Sequence, residues 1–479
     1  MCSRLGVVLV LGWLAGACGS ESASSAGSSV APVWRGASTV PLPAAADEAA
    51  LLDAVFRVDI ETIQAVFDIF PGESRIQAQA TVVFHMRAGQ SRPILHFAPA
   101  QTATDLTLSL DGQVLAVDGG RDVRFLTFER SGQTSLELQR ELAAGPPHRL
   151  EASWSFALTD AGRRLFTDVN DIEGRGNEVF FPTLNTPHEL ARHVLVFRVH
   201  GAAPYLAVGS GLVTSRPAPD AQEWVLDTER EVASYTVMFH VAPAASHVLS
   251  ERRVQGVDVR VLAPAGGVAA EQAFSTLDPW LPELDRALGP FPMPRGLSVV
   301  LTQSGGGMEY FGGTTTSLSA LRHEVFHMYF GCSTVARTYR DSWWDEAINM
   351  WYARSLDPSL VPIAETFRSG MVNDRTAVAV GFDVRAYQEG AQIFQAVATE
   401  VGGRDELIRF LHHLHEERSF QPFTTWQLAD ELLAWSGVAF HDRFRLWLYQ
   451  GPEAAAARTS PYEWLHRVDM TLPEAGAGR

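Results

Sequence analysis

The 479-residue chain contains no lysine; its 38 basic residues are all arginine, set against 55 acidic residues for a net charge of −17. A chain so acidic offers no basic footprint for a phosphate backbone, which argues against nucleic acid as a partner. Cysteine is almost as scarce. The three present, Cys2, Cys18 and Cys332, are too few and too scattered for a disulfide framework. Past the N-terminus no apolar run reaches the roughly 18 residues that a membrane-spanning helix requires. Charged residues are only 19% of the chain and hydrophobic residues 46%, the balance of a folded globular protein rather than a disordered one. The length suits two or three domains.

What is present begins with a targeting pattern. Arg4 is followed by an apolar run from Leu5 to Leu14, then by Ala15-Gly16-Ala17 and Cys18. The run is too short to be a stable span and reads as a secretory signal. A cysteine directly after the small residues resembles a bacterial lipoprotein signal, in which that cysteine is lipidated and becomes the new N-terminus. Residues 1–17 are therefore expected to be removed and Cys18 to anchor the chain in a membrane at the bacterial cell envelope. Gly19 and Ser20 stand where an acidic residue would retain an inner-membrane lipoprotein, so the outer membrane or cell surface is expected. Residues 18–47, rich in Ser, Ala, Gly and Pro, read as the lipidated cysteine and a flexible tether.

From residue 48 to 250 the hydrophobic pattern has period two. Phe56, Val58 and Ile60 alternate with polar neighbours, as do Ile76, Ala78, Ala80, Val82 and Phe84, then Leu195, Phe197 and Val199, then Tyr235, Val237, Phe239 and Val241. This predicts an all-β domain of saddle or sandwich type. Residues 251–470 change character. Val257, Val259 and Val261 predict a strand, 269–288 a helix, and 297–301 a strand ending in Gly305-Gly306-Gly307. Helices are expected near 320–331, 343–355, 386–401, 404–417, 425–436 and 439–449. The fold class is thus α+β and multidomain, with a mostly helical second domain built on a small sheet. Residues 471–479 read as a disordered tail.

The second domain carries the chemistry. His323-Glu324-Val325-Phe326-His327 falls in a predicted helix, where residues four apart share one face. Both imidazoles can then hold one Zn2+, with Glu324 placed beside a zinc-bound water as general base. Glu346 follows His327 with 18 residues between, within Trp343-Trp344-Asp345-Glu346-Ala347, and completes a ligand set of His323, His327 and Glu346 with one position left open. Asp345 is adjacent to a ligand on a helix and is expected to turn away from the metal, with contact to a ligand from behind left open.

These residues resemble the alanyl-aminopeptidase family of zinc metallopeptidases, within the gluzincins, which share the arrangement His-Glu-x-x-His-x18-Glu. Gly306-Gly307-Met308-Glu309-Tyr310 is similar to that family's Gly-x-Met-Glu-Asn motif, and Tyr387-Gln388-Glu389-Gly390-Ala391 to its Tyr-x-Lys-Gly-Ala motif. Phe180 to Pro187 resembles the segment ending in Asp-x-Pro in the family's β domain, and Arg443 to Pro452 its closing Trp-containing helix. The departures are Tyr310 in place of Asn, Glu389 in place of Lys, only 13 residues between Glu309 and His323, and no counterpart to the large C-terminal helical domain of many relatives. The resemblance implies a thermolysin-like catalytic domain and peptide substrates. It casts Tyr387 as the hydroxyl that stabilises the oxyanion. Glu309, after the backbone of Gly306 and Gly307, becomes the carboxylate that holds a free α-amine, and Glu173 in the β domain a second such group.

Three functional readings follow. The first is an aminopeptidase removing N-terminal residues from peptides at the cell envelope. The second is a zinc endopeptidase with an open cleft, favoured by the missing C-terminal domain. The third is a peptide-binding surface lipoprotein without activity, which the intact Glu324 disfavours. Other eye-catching groups are assigned blander roles: His412, His413 and His415 to a solvated helix face, and Cys332 to a small buried residue.

Overall fold

The computed structural model describes residues 39–42, 57–87, 90–97, 103–117, 120–128, 134–158, 177–266, 268–302, 306–371 and 384–449. The signal segment, Cys18, most of the tether, Glu173 and the C-terminal tail lie outside these residues.

The expected period-two runs build an eight-stranded sheet. Its order is Leu212–Ala218, Ala221–Ala233, Leu190–His200, Val58–Phe70, Arg75–Met86, His148–Ala157, Thr104–Leu110 and Gln113–Leu115. Its two long central strands form a hairpin across Pro71–Glu73, where Pro sets the first turn position and Ser74 closes in the left-handed region at φ 49°. The alternation does what it predicts: Ile76, Ala78, Ala80, Val82 and Phe84 are all at most 4% exposed, so one pleat face is the core. The pairing Leu190–His200 with Val58–Phe70 is parallel, the others in this sheet antiparallel. A four-stranded sheet packs beside it from Thr39–Leu42, Val123–Phe128, Thr134–Leu138 and Ile94–His96.

The run at 235–241 departs from expectation. Ser234–Thr236 is a 3-10 turn, and the strand begins only at Phe239. The buried Ser234 and Thr236 explain this. Thr236 Oγ1 donates to Ala233 O at 2.7 Å and Asn177 Nδ2 donates to Ser234 O, so side chains satisfy the backbone where a ladder would have to, while Ser234 Oγ meets His193 Nε2 at 2.9 Å. This turn meets the second unit, for Phe311 N donates to Thr236 O at 2.8 Å.

A separate five-stranded sheet runs His247–Val254, Val257–Pro264, Leu297–Leu301, Gly313–Thr316 and Gly307–Tyr310. The three middle strands are parallel, joined first by the helix Ala269–Leu288, which buries Ala273, Phe274, Leu277, Leu281 and Leu284. Gly307–Tyr310 is antiparallel and lies at the sheet edge. Five further helices follow at Trp343–Arg354, Ala391–Val401, Arg404–Arg418, Thr425–Ser436 and His441–Leu448, after the short helix Leu321–Phe326. Thr424 and Gln427 make a reciprocal capping box at the start of Thr425–Ser436. Among the described residues no helix is long and apolar enough to cross a membrane.

Candidate metal centre

The helix expected over 320–331 is shorter, Leu321–Phe326. His327 closes it, and the chain then turns back: Cys332 N donates to His327 O at 2.9 Å, and Gly331 takes φ 121°. The fully buried His327 ring, with Nδ1 at 3.1 Å from Phe330 O, holds this turn in place of a further helical one. The four-residue spacing survives, and the two Nε2 atoms face each other at 3.2 Å. Trp343–Arg354 returns alongside, tied by Asn349 Nδ2 donating to His323 O at 3.0 Å. That brings Glu346 Oε2 to 3.2 Å from His323 Nε2 and 3.4 Å from His327 Nε2.

These three atoms fit a zinc ion. Ligand atoms of a tetrahedral centre with bonds of about 2.0–2.1 Å stand about 3.3 Å apart, the spacing found here. The donor set, two imidazoles and a carboxylate, is that of a catalytic zinc site with an open position. Glu346 Oε2 is also buried without a hydrogen-bond partner, a cost that a bound cation removes.

Around this triangle stand the other expected residues. Glu324 is buried, and with Glu309 and His327 it offers a second group of donor atoms within 4.8 Å of one another. Glu309 is half-buried on the edge strand. Gly307 lies so close to Glu324 that a Cβ there would fall 2.6 Å from its Cγ and 2.7 Å from its Cδ and Oε1. Its lack of a side chain makes room for Glu324, and Gly306 precedes it at φ 94°. Tyr387 reaches in from a π-helical turn at Ala386–Gly390 that opens the helix Ala391–Val401, where a single helix was expected. Its ring stacks on His323 with centroids 5.9 Å apart, and its hydroxyl donates to Glu346 Oε1 at 2.6 Å. Such π turns gather at functional sites. Glu389, in the lysine position, accepts from the Ser369 hydroxyl.

Crowded carboxylates perturb one another. Burial, then the charge of Glu309, pushes Glu324 well above the usual carboxylate range. Burial raises Glu309 also, against the pull of His327. For Glu346 burial works upward, but the imidazoles of His327 and His323 prevail and hold it well below the usual range. Burial disfavours charge on His327, yet Asp345, Glu346 and Glu309 raise it well above the ordinary histidine value.

Asp345 turns away from the Nε2 edge that faces His323 and Glu346 and meets His327 from behind, the contact left open in the sequence: its Oδ1 lies 2.6 Å from His327 Nδ1. One neighbour was not foreseen. Tyr235, from the β domain, approaches Tyr339 with ring centroids 5.9 Å apart and is pushed up by burial and by Tyr339, Asp345 and Glu309. His415 is not solvated. It is buried, its Nδ1 3.0 Å from Ser419 Oγ and its ring against Tyr329 behind the metal helix. His412 faces Glu416, His413 stacks on Trp435, and Cys332 is buried and free.

The arrangement of a β-rich domain followed by a helical domain with a five-stranded sheet is similar to the fold of solved M1 zinc metallopeptidases. An M1 zinc metallopeptidase from Deinococcus radiodurans bound to a Tyr-Ser-Ala substrate shares it at 20% identity and TM-score 0.60, over 82% of this chain and 95% of that one. The same enzyme from Deinococcus radiodurans without that substrate matches at 19% identity and TM-score 0.60, over 82% and 95%. A two-domain M1 zinc metallopeptidase bound to L-tryptophan matches at 19% identity and TM-score 0.61, over 82% and 94%. No family model matches the sequence, and no curated protein does.

Proposed function

We infer that the chain is a zinc-dependent metallopeptidase, an aminopeptidase that removes N-terminal residues from peptides. The observation that carries this is the convergence of His323, His327 and Glu346 at 3.2–3.4 Å beside the buried Glu324 and the half-buried Glu309. Zinc held by the triangle supplies Lewis acidity and lowers the pKa of a bound water. Glu324, raised by burial, takes the proton of the attacking water and passes it to the leaving amine. The Glu309 carboxylate, on the edge strand of the five-stranded sheet, holds the substrate's α-ammonium and so limits attack to the first bond. Tyr387, a hydroxyl already aimed at the ligand set, donates to the oxyanion of the tetrahedral intermediate. Glu173 is assigned a second contact with the amine.

The same reading includes the N-terminus. Cys18 carries a lipid and anchors the enzyme at the bacterial cell envelope, on the outer membrane or cell surface. Incorporation of an alkyne-tagged fatty acid, lost in Cys18→Ser, tests it; a chain that stays unlabelled and soluble contradicts it.

The activity is tested with one peptide series in free and N-acetylated forms, with Glu324→Gln as blank. Stepwise cleavage of the free form alone supports the aminopeptidase. Internal cleavage of both forms makes it an open-cleft endopeptidase and removes the role of Glu309. Zinc binding without hydrolysis above the blank leaves a peptide-binding protein.

A further inference from the structure

We propose that Asp345 is a positioning residue that holds His327 in its metal-binding tautomer and orientation, with Gly331 keeping the space it needs. The inference rests on the zinc reading above and on two independent observations.

The first is the hydrogen bonding of His327. Its Nδ1 faces Asp345 Oδ1 at 2.6 Å and Phe330 O at 3.1 Å. A backbone carbonyl only accepts, and so does an ionised carboxylate, so Nδ1 carries the proton. Nε2 then keeps its lone pair, and Nε2 is the atom that faces His323 and Glu346. Phe330 O could enforce the tautomer alone. Asp345 adds a second and shorter bond to a carboxylate oxygen, which fixes the ring and makes the imidazole a stronger donor to a cation. Its place in the first turn of Trp343–Arg354 suits a negative charge.

The second observation is steric. A Cβ on Gly331 would lie 2.7 Å from both carboxylate oxygens of Asp345, and φ at Gly331 is 121°. The turn that ends the metal helix is thus closed over Asp345 by a residue with no side chain. Alanine there meets the carboxylate itself and strains the backbone as well. The two carboxylates face opposite edges of one imidazole, Asp345 bonded at Nδ1 and Glu346 Oε2 standing 3.4 Å from Nε2.

The test measures zinc affinity by competition with a chelator, using the full chain and the variants Asp345→Ala, Asp345→Asn and Gly331→Ala. Asparagine keeps an acceptor and loses the charge, so it separates the two contributions and preserves packing. The expected rise in Kd is about 10- to 100-fold for Asp345→Ala, the range for losing such a partner, with Asp345→Asn in between. Gly331→Ala follows Asp345→Ala, since it displaces the same carboxylate. The His327 Nδ1–H proton resonance, far downfield in the wild type because of the short bond to Asp345, moves upfield in Asp345→Ala, where only Phe330 O still accepts, and by less in Asp345→Asn; a purely structural role would not give this order. Zinc affinities of all variants within twofold of wild type overturn the proposal. A wild-type chain that takes up no zinc overturns it together with the metal reading. Wild-type zinc binding without peptide hydrolysis overturns the peptidase reading alone and leaves this proposal supported by the affinity order.

Discussion

In the eight-stranded sheet, Ile76, Ala78, Ala80, Val82 and Phe84 turn inward from one strand and meet apolar partners. At the metal centre, Glu309, Glu324, Asp345 and Glu346 crowd around two imidazoles instead. Burial stabilises the first arrangement and opposes the second, because removing a carboxylate from water costs several kcal/mol unless it is paired. Burial of the sheet's apolar face favours folding, and burial of the carboxylate cluster opposes it. Substitutions in the two regions should therefore separate stability from activity.

The largest separation is expected at Glu324. Glu324→Gln removes the general base, and kcat/KM should fall by about 10²–10⁴-fold, while zinc stays bound. The apparent melting temperature of the metal-free variant should equal or exceed that of the wild type, because a carboxylate raised by burial and by Glu309 is replaced by a neutral amide. A thermal scan beside the kinetic assay checks both, and a strongly destabilised Glu324→Gln would break the contrast. Phe84→Ala is the converse. It empties a fully buried site in the sheet and should cost about 3–5 kcal/mol in denaturant unfolding, with kcat of the remaining folded enzyme unchanged.

Histidines buried in the β domain sharpen the comparison through pH. Burial lowers His193 to about 4, and no charged group contributes to that shift. Above pH 6.5 the ring is neutral folded and unfolded. Between pH 6.5 and 4 the unfolded chain takes up a proton that the folded one refuses, so stability falls as pH falls and the loss levels off below 4. The full effect is about 3 kcal/mol. His193→Asn should remove about one proton from the pH dependence of unfolding over that window; an unchanged slope would contradict it. The smallest effect is expected at Tyr387, whose replacement by Phe should lower kcat by about 100-fold, the lower end for losing one oxyanion donor, with KM and stability little changed.

Most of this plan could be read from the residues in order. Period-two alternation predicts the strands of the large sheet because one face of each is wet. The spacing of His323, His327 and Glu346 predicts the metal triangle because helix geometry fixes where such side chains point. What escaped depends on where two segments meet. Asp345 was expected to face away from the metal because adjacent helical residues diverge by about 100°, and it does; only whether it would touch a ligand from behind was left undecided. An imidazole has two edges, and the turn after His327 presents Nδ1 to one carboxylate and Nε2 to the next. Gly307 was singled out by its motif as backbone near substrate, but nothing local shows its close approach to Glu324, 17 residues away in sequence. His415 looks like part of a polar helix face until the turn carrying Ser333 and Thr334 closes over it.

The claim on which the account depends is that His323, His327 and Glu346 hold one zinc ion. Metal content by mass spectrometry, measured on the purified full chain and on Glu346→Gln after dialysis against a weak chelator, addresses it directly. The account predicts about one zinc per wild-type chain, as for a three-ligand catalytic site, and little in the variant. Zinc absent from the wild type, or retained equally by Glu346→Gln, would contradict it.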